Sequence, residues 1–179
     1  MSIIAGLDLS LNSAGIAILV DGEPKMITHV GHKGHNGDDW QHRSRRVRSQ
    51  VRAVMGVVWT RQLDLAVIEG PSYGSPGDQF DRAALWHGVY GALEAKGIPI
   101  AVIAPNSLKL WWTGDGTADK LRMLNTARGR YRQAISTHDE ADAVALAAAG
   151  ARWLGDPIPF EPNDRQIAAL GRMDWPVIA

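Results

Sequence analysis

The sequence predicts an α/β protein with a five-stranded mixed sheet flanked by helices on both faces. Three short apolar runs near the N-terminus are joined by turn sequences, which is typical of an antiparallel meander. Two later apolar runs alternate with helical patterns, which is typical of parallel strands connected by helices. Apolar residues make up 45% of the 179 residues and charged residues 21%, a composition typical of a folded globular protein.

The three strands of the meander are predicted from apolar runs separated by turns. The first run covers residues 3–9, and a polar turn at 10–13 separates it from the second strand, over residues 15–20. Asp21 and Gly22 form a strong hairpin dipeptide that leads into the third strand, over residues 25–30. A glycine- and histidine-rich loop over residues 31–37 then ends the meander.

The remaining strands are predicted to alternate with helices. A long helix is expected from Asp38 or Asp39 to about residue 60, because its valines recur at helical spacing. Apolar runs at 63–69 and 98–104 predict buried strands, and a helix between them ends at Gly97. Further helices are predicted over residues 107–112, 118–131 and 138–154. We expect residues 1–154 to form one domain and residues 155–179 a tail, with a short helix over 164–173.

Composition excludes several classes of function. The chain contains no cysteine, which excludes disulfides, thiolate zinc sites and a cysteine nucleophile. No apolar run approaches the ~20 residues of a bilayer span and the N-terminus lacks a signal-peptide pattern, so we expect neither membrane association nor export.

Local charge is uneven although nineteen basic residues balance nineteen acidic ones. Residues 42–52 contain five arginines and no acid, whereas seven acids and three arginines follow from residue 139 onward. Such blocks suit a protein that binds phosphates at one place and cations at another. The alternative is that each block is an ordinary solvated helix face.

Four carboxylates lie where an acid needs a partner. Asp8 interrupts an apolar strand, and Glu69 closes another before a glycine-proline loop. Asp139 and Asp142 are three residues apart at the start of a helix, so both project from one face. Such oxygen ligands select hard cations such as Mg²⁺ or Mn²⁺, and two such ions can promote phosphodiester hydrolysis. Taken singly, Asp8 could instead cap the following turn and Glu69 could pair with an arginine. The other two could be ordinary acids of a first helical turn.

The segments that carry these acids resemble the three acidic motifs of the RuvC Holliday junction resolvases, a family with an RNase H-like fold. They are GLDLSLNSAG at 6–15, VIEG at 67–70 and HDEADA at 138–143, in the family's order. A fourth stretch, PNSLK at 105–109 followed by GDGTADK at 114–120, is similar to the family's lysine-bearing segment. The resemblance covers residues 3 to about 150 and leaves out the tail.

The resemblance implies a catalytic site and a metal cofactor. Its catalytic carboxylates would hold two Mg²⁺ or Mn²⁺ ions, and they are Asp8, Glu69, Asp139 and Asp142. His138, which precedes the acid pair, is a further candidate ligand or base.

The resemblance also implies several contacts to DNA. Lys109 and Lys120 would contact the backbone near the scissile phosphate, and Lys120 would also be catalytic. A lysine in the first turn of a helix after a glycine loop independently favours phosphate binding at Lys120. The family places an aromatic wedge after the catalytic glutamate, which makes Tyr73 the candidate for stacking on an opened base. Arg43, Arg45 and Arg46 are expected to bind the DNA backbone irrespective of sequence.

These expectations combine into a structure-selective endonuclease that resolves Holliday junctions and other branched DNA. A homodimer is expected because a four-way junction needs two symmetric nicks, and Trp86 and Tyr90 are candidates for its interface. A phage or mobile-element resolvase acting in the bacterial cytoplasm would fit. The alternatives are a junction-binding protein without cleavage and an actin-like or sugar-kinase-type ATPase, which would need a second domain.

Two other patterns favour structural roles. His29, His32 and His35 recur at every third residue, but without cysteine a surface loop is favoured over a zinc site. Trp111 and Trp112 are expected in the core or at an interface rather than as base-stacking platforms.

Overall fold

The computed structural model describes residues 1–35, 37–59, 62–71 and 79–177. Within these residues the strands and helices are, in chain order, β1 (Ile3–Asp8), β2 (Ala14–Val20), β3 (Glu23–Val30), α1 (Trp40–Val58), β4 (Leu65–Glu69), α2 (Gln79–Glu94), β5 (Ile100–Ile103), α3 (Pro105–Thr113), α4 (Lys120–Arg130), α5 (His138–Leu154) and α6 (Asp164–Leu170).

The sheet has five strands in the order β3-β2-β1-β4-β5. β2 pairs antiparallel with both β1 and β3, whereas β4 pairs parallel with both β1 and β5. Asp21 and Gly22 turn the chain between β2 and β3 with positive φ angles of 49° and 79°, as a tight hairpin requires. The predicted meander followed by two parallel strands is confirmed.

Helices cover both faces of the sheet. α1 and α2 pack on one face, against the side chains of Ala5 and Leu7. α5 packs on the other face, against that of Ile4, with α3 and α4 beside it. Since successive side chains of a strand point to opposite faces, Asp8 lies on the same face as Ile4 and therefore faces α5.

Capping residues set several element boundaries that differ from the sequence prediction. α4 begins at Lys120 rather than at residue 118, because the Asp119 side chain accepts a hydrogen bond from the amide of Arg122 and acts as the N-cap. α3 begins two residues early, since Pro105 suits the first helical position. Trp111 is fully buried, as is Trp112, which confirms their predicted place in the core.

Two glycines let α5 lie directly on the sheet. A Cβ atom on Gly6 of β1 would lie well inside 3.0 Å of the backbone oxygen of Ala143, and one on Gly15 of β2 equally close to that of Asp139. Real Cβ atoms essentially never come that near, so both positions need glycine. The first turns of α5 therefore rest on β1 and β2 with no side chain between them.

The tail returns across the sheet edge. α6 packs on α3, and the side chain of Gln166 donates a 2.7 Å hydrogen bond to the backbone oxygen of Trp111. Beyond α6, Asp174 and Val102 of β5 exchange two backbone hydrogen bonds of 3.0 and 3.3 Å. No helix within the described residues is long and apolar enough to span a bilayer.

Candidate active site

Asp8 and Glu69 lie side by side at one edge of the sheet. β1 and β4 are parallel, and their register aligns Leu7 with Ile68. The next residues of the two strands are Asp8 and Glu69, so both carboxylates leave the carboxyl ends of neighbouring central strands and face α5. The ends of parallel strands are a common place for ligand sites in α/β proteins.

The N-terminus of α5 brings the second pair of acids to this edge. Thr137 caps the helix by accepting a hydrogen bond from the amide of Glu140. Gly15, against which the backbone of Asp139 packs, is the cross-strand partner of Asp8. This close approach places the first turn of α5, with Asp139 and Asp142, beside Asp8.

The four acids influence one another electrostatically. Burial raises the pKa of Asp8 well above its usual range, and the charges of Glu69, Asp142 and Asp139 raise it further. Burial, and then the charge of Asp142, raises the pKa of Glu69 to about 7. Burial and the neighbouring Asp139 raise that of Asp142 to about 6. Shifts of this kind are typical of carboxylates gathered at a functional site.

Two lysines oppose these shifts from the rim of the acidic cluster. The ammonium of Lys120 lowers the pKa of Asp8, Glu69 and Asp142, and that of Lys109 lowers the pKa of the last two. Lys120 is exposed at the first position of α4, whereas Lys109 is half-buried on α3. The structure therefore brings both predicted lysines to the same edge as the predicted carboxylates.

The donor set fits a divalent cation. The Asp142 Oδ1 atom is buried and has no hydrogen-bond partner, as an atom available to a ligand would be. Within the described residues no lysine or arginine forms an ion pair with any of the four acids. In the same part of the chain no group of three or more acidic or histidine side chains is arranged so that it could hold a metal ion. The carboxylate oxygens gathered at this edge are nevertheless the type of ligand that a hard cation prefers.

His138 links α5 to the helix that carries Lys120. Its Nδ1 atom lies 3.0 Å from the backbone oxygen of Lys120. Because a carbonyl oxygen only accepts, Nδ1 carries the hydrogen, and a neutral ring then leaves Nε2 with a free lone pair. In its protonated form, by contrast, the positive charge of the ring lowers the pKa of Asp142. His138 therefore lies close enough to belong to the site and has the tautomer of a metal-binding histidine.

Glu140 belongs to the scaffold, although it lies between the two predicted ligands in the sequence. Its buried carboxylate accepts hydrogen bonds from the amides of Ser136 and Thr137 and lies 2.9 Å from His29 Nδ1. Burial raises its pKa, but the bonds from His29 and the two amides outweigh burial and lower it. His29 is thus engaged with α5, while His32 and His35 are exposed in the following loop.

The three predicted arginines have different surroundings. The guanidinium of Arg43 donates two hydrogen bonds to the carboxylate of Asp81, of 2.9 and 3.0 Å. Its contact with DNA stays a prediction, and the group already has a partner in the protein. Arg46 donates to the side chain of Asn12 and to the backbone oxygen of His32. Arg45 is exposed. Tyr73, the predicted wedge, lies outside the described residues.

Trp86 lies beside the candidate site, a position that the sequence does not predict. A cleft of about 290 Å³ extends from Asp8 and Glu69 along α2, and its described lining includes Arg82 and Trp86. The indole of Trp86, which is half-buried, donates a 2.9 Å hydrogen bond to the backbone oxygen of Glu69 and stacks on Tyr90. The sequence predicts Trp86 only as a candidate for a dimer interface, although the i, i+4 spacing of Arg82 and Trp86 indicates that they share one face of α2.

Comparison with solved structures identifies the fold. The structure of Thermus thermophilus RuvC superposes with a TM-score of 0.68 at 19% identity, covering 90% of this chain and 99% of that one. T. thermophilus RuvC in complex with a Holliday junction substrate gives a TM-score of 0.67 at 16% identity, covering 91% of this chain and all of that one. The chain therefore has the RNase H-like fold of these proteins.

Curated relatives show the same similarity in sequence. The crossover junction endodeoxyribonuclease RuvC of Anaeromyxobacter sp. (strain K) is 32% identical over 142 residues, which are 79% of this chain and 67% of the relative. That of Anaeromyxobacter dehalogenans (strain 2CP-1 / ATCC BAA-258) is 47% identical over 51 residues, or 28% of each chain. No protein-family model matches the sequence.

Fold and acidic site together define a divalent-metal-dependent nuclease of RNase H-like architecture. The carboxylates at the ends of β1 and β4 and at the start of α5 present oxygen atoms at one edge of the sheet, the type of ligand that a divalent cation prefers. More narrowly, the chain belongs to the RuvC family of crossover junction endodeoxyribonucleases.

Proposed function

We propose that this protein resolves four-way DNA junctions by hydrolysing phosphodiester bonds with two Mg²⁺ or Mn²⁺ ions at the acidic site. The observation that carries the proposal is the convergence of four carboxylates that form no ion pair with a lysine or arginine among the described residues, while Lys109 and Lys120 lie close enough to lower their pKa values. Burial and mutual repulsion raise the pKa of Asp8, Glu69 and Asp142, so their ionised forms need cations. Family membership adds independent support for junction cleavage.

Each residue has a role that follows from its place. Asp8, Glu69, Asp139 and Asp142 would hold the ions. When bound, two such ions activate a water molecule and stabilise the leaving oxygen. His138 would orient the first turn of α5 through its hydrogen bond to the backbone of α4. The lone pair of its Nε2 atom would remain available as a further metal ligand.

The lysines would hold the substrate rather than the metal. Lys120 and Lys109 carry positive charge on the rim of the acidic cluster, where a phosphate between the carboxylates and the lysines would meet both. A charge-assisted hydrogen bond from an ammonium to a phosphate oxygen fixes the position of the scissile group. The acidic cluster itself would repel DNA when no metal is bound, which disfavours the alternative of a binding protein that does not cleave.

A homodimer acting in the bacterial cytoplasm is part of the proposal. A four-way junction presents two equivalent strands, and a two-fold symmetric enzyme can nick both. The stacked pair of Trp86 and Tyr90 on α2 is the proposed contact between protomers, with ring centroids 5.1 Å apart.

The test uses a labelled four-way junction and a linear duplex of the same sequence, each incubated with the purified protein with and without Mg²⁺. We expect paired nicks near the crossover of the junction, none in the duplex, and none in EDTA. Equal cleavage of the duplex would contradict structure selectivity, and full activity in EDTA would exclude metal catalysis. Junction binding without any cleavage in Mg²⁺ or Mn²⁺ would favour the non-cleaving alternative.

A further inference from the structure

A second cleft, which we call the β3–α1 pocket, lies between the loop after β3 and the first turns of α1. Its volume is about 290 Å³. Among the described residues that line it, the cationic and imidazole side chains are His32, Lys33, His35, His42, Arg45 and Arg46. The pocket is separate from the carboxylate site, because the two share no described lining residue.

The pocket is held in shape by Arg46. Positions 42, 45, 46 and 49 share one face of α1, because they are three or four residues apart. Across from this face the loop passes over the guanidinium of Arg46, and a Cβ atom on Gly34 would lie 2.5 Å from Arg46 Nη1. Arg46 Nη2 donates to the side chain of Asn12 and, at 3.2 Å, to the backbone oxygen of His32. Arg46 therefore fixes the loop against α1.

The charge of the pocket favours an anion. Lys33 and Arg45 are exposed and form no ion pair within the described part of the chain. The Nε atom of Arg46 is buried and has no hydrogen-bond partner. Asp38 carries the sole carboxylate in the described lining, and its Oδ2 atom accepts a 3.1 Å hydrogen bond from the amide of His35. Three cations thus face one carboxylate that is already engaged.

The pocket opens at the same edge of the sheet as the carboxylate site. β2 is antiparallel to both β1 and β3, so β1 and β3 run in the same direction and end at the same edge. One strand lies between them, which separates their axes by about 10 Å. Phosphates of one DNA strand follow at about 3.4 Å along the helix axis. The two sites therefore share this edge, the pocket beside α1 and the carboxylates facing α5, so a DNA strand that passes around the edge can meet both.

We propose that the β3–α1 pocket binds a backbone phosphate of the DNA strand, a few nucleotides from the cleaved bond. Lys33 and Arg45 supply the contacts, with Arg46 as the positioning residue that holds the loop. The inference rests on the proposed function, and it adds a binding site outside the carboxylate site. It also separates the arginines of α1 by role, since Arg45 contacts phosphate while Arg43 is paired with Asp81.

The first test measures junction binding by fluorescence anisotropy in EDTA across a series of salt concentrations. The double variant Lys33→Ala/Arg45→Ala removes two exposed cations and should fold normally, which circular dichroism checks. We expect its plot of log affinity against log salt to be shallower than wild type by about one to two units. Arg152→Ala is the matched control, because Arg152 is exposed in the last turn of α5 and should leave the slope unchanged.

The second test identifies the phosphate. Junctions carrying a single neutral methylphosphonate, placed at successive positions from the cleavage site, should show one position that weakens wild-type binding but does not weaken binding by the double variant. Inorganic phosphate alone is the competing probe. Tight binding of inorganic phosphate, together with the same salt slope for the double variant and Arg152→Ala, would assign the pocket to a free anion and overturn the proposal.

The outcomes separate this inference from the proposed function. A wild-type protein that cleaves the junction while the double variant behaves as Arg152→Ala overturns the pocket alone. A wild-type protein that neither binds nor cleaves the junction overturns the proposed function and this inference with it.

Discussion

The backbone oxygen of Asp139 lies against Gly15, so closely that a Cβ atom on Gly15 would lie well inside 3.0 Å of it. Gly15 is also the cross-strand partner of Asp8. One glycine thus connects the strand that carries the first carboxylate with the helix that carries the last two. The geometry of the acidic site depends on this contact as well as on the acids.

Substituting this glycine tests the connection. We expect Gly15→Ala to push the first turn of α5 away from β2, to lower the free energy of unfolding by about 1–3 kcal/mol and to reduce junction cleavage. Urea unfolding and the cleavage assay measure the two effects. Gly56→Ala is the control, because Gly56 lies in α1 where an added Cβ atom would meet nothing within 4 Å. This variant should gain about 0.5–1 kcal/mol of stability with no loss of cleavage. Equal behaviour of the two variants would refute the role of the close approach.

Removing the charge of Asp8 should separate catalysis from binding. Asp8→Asn deletes a proposed metal ligand, so we expect cleavage to fall to background while junction affinity is kept or increased through lost repulsion. Because burial and the neighbouring acids disfavour ionised Asp8, the variant should also be more stable than wild type at pH 7 without metal. Gel-shift, cleavage and unfolding assays measure these effects, with Asp164→Asn, at an exposed position in α6, as the control. Retained cleavage with lost binding would contradict the assignment.

The raised pKa values predict how stability depends on pH in the metal-free protein. Glu69 has a pKa of about 7 in the folded state against 4.5, and Asp142 one of about 6 against 3.8. Between about pH 4 and 7 the folded protein therefore binds more protons than the unfolded chain, so the free energy of unfolding should fall as pH rises through this window. We expect Glu69→Gln to remove part of that fall, on the order of 1–2 kcal/mol.

Urea unfolding in EDTA at a series of pH values measures this dependence. The control is Glu94→Gln, since Glu94 is exposed at the end of α2. If the stability difference between Glu69→Gln and wild type stayed constant from pH 4 to 8, the raised pKa of Glu69 would be wrong.

Lys120 is expected to affect both the substrate and the acids. Lys120→Ala should slow cleavage and reduce the salt dependence of junction binding by about one unit if the ammonium contacts a phosphate. Because this ammonium lowers the pKa of Asp8, Glu69 and Asp142, its loss should also move the rising limb of the cleavage–pH profile to higher pH.

Two matched variants complete the Lys120 experiment. Lys120→Arg keeps the charge and should keep the salt dependence. Lys25→Ala removes an exposed lysine from β3 and should change neither the salt dependence nor the pH profile. A Lys120→Ala protein with wild-type salt dependence and pH profile would make Lys120 an ordinary surface residue.

The sheet and the acids could be predicted because their signals are local. Apolar runs and turn residues predict the meander, and Asp8 stands out as a charged residue within an apolar run that in the structure ends as β1 at this residue. The spacing of Asp139 and Asp142 defined a shared helix face, which the structure turns towards Asp8. In each case the pattern lies within a few residues of the chain.

The contacts between distant segments could not be predicted in this way. Gly6 and Gly15 occur in short apolar strands, and nothing near them in sequence indicates that a helix more than a hundred residues later rests on them. The ion pair between Arg43 and Asp81 joins α1 to α2, and no repeating pattern in the sequence indicates that these two residues meet. The role of His138, which precedes the Asp139/Asp142 pair, could not be predicted either, because the tautomer of its ring depends on a backbone oxygen of α4.

The two hydrogen bonds between Asp174 and Val102 have a consequence for self-association. β5 is the last strand of the sheet, and an uncovered outer strand offers its amides and carbonyls to any other extended chain. The returning tail occupies these groups at Val102 and places a charged residue over them. The segment after α6 thus leaves fewer free backbone groups on the outer side of β5 and should reduce aggregation through strand pairing.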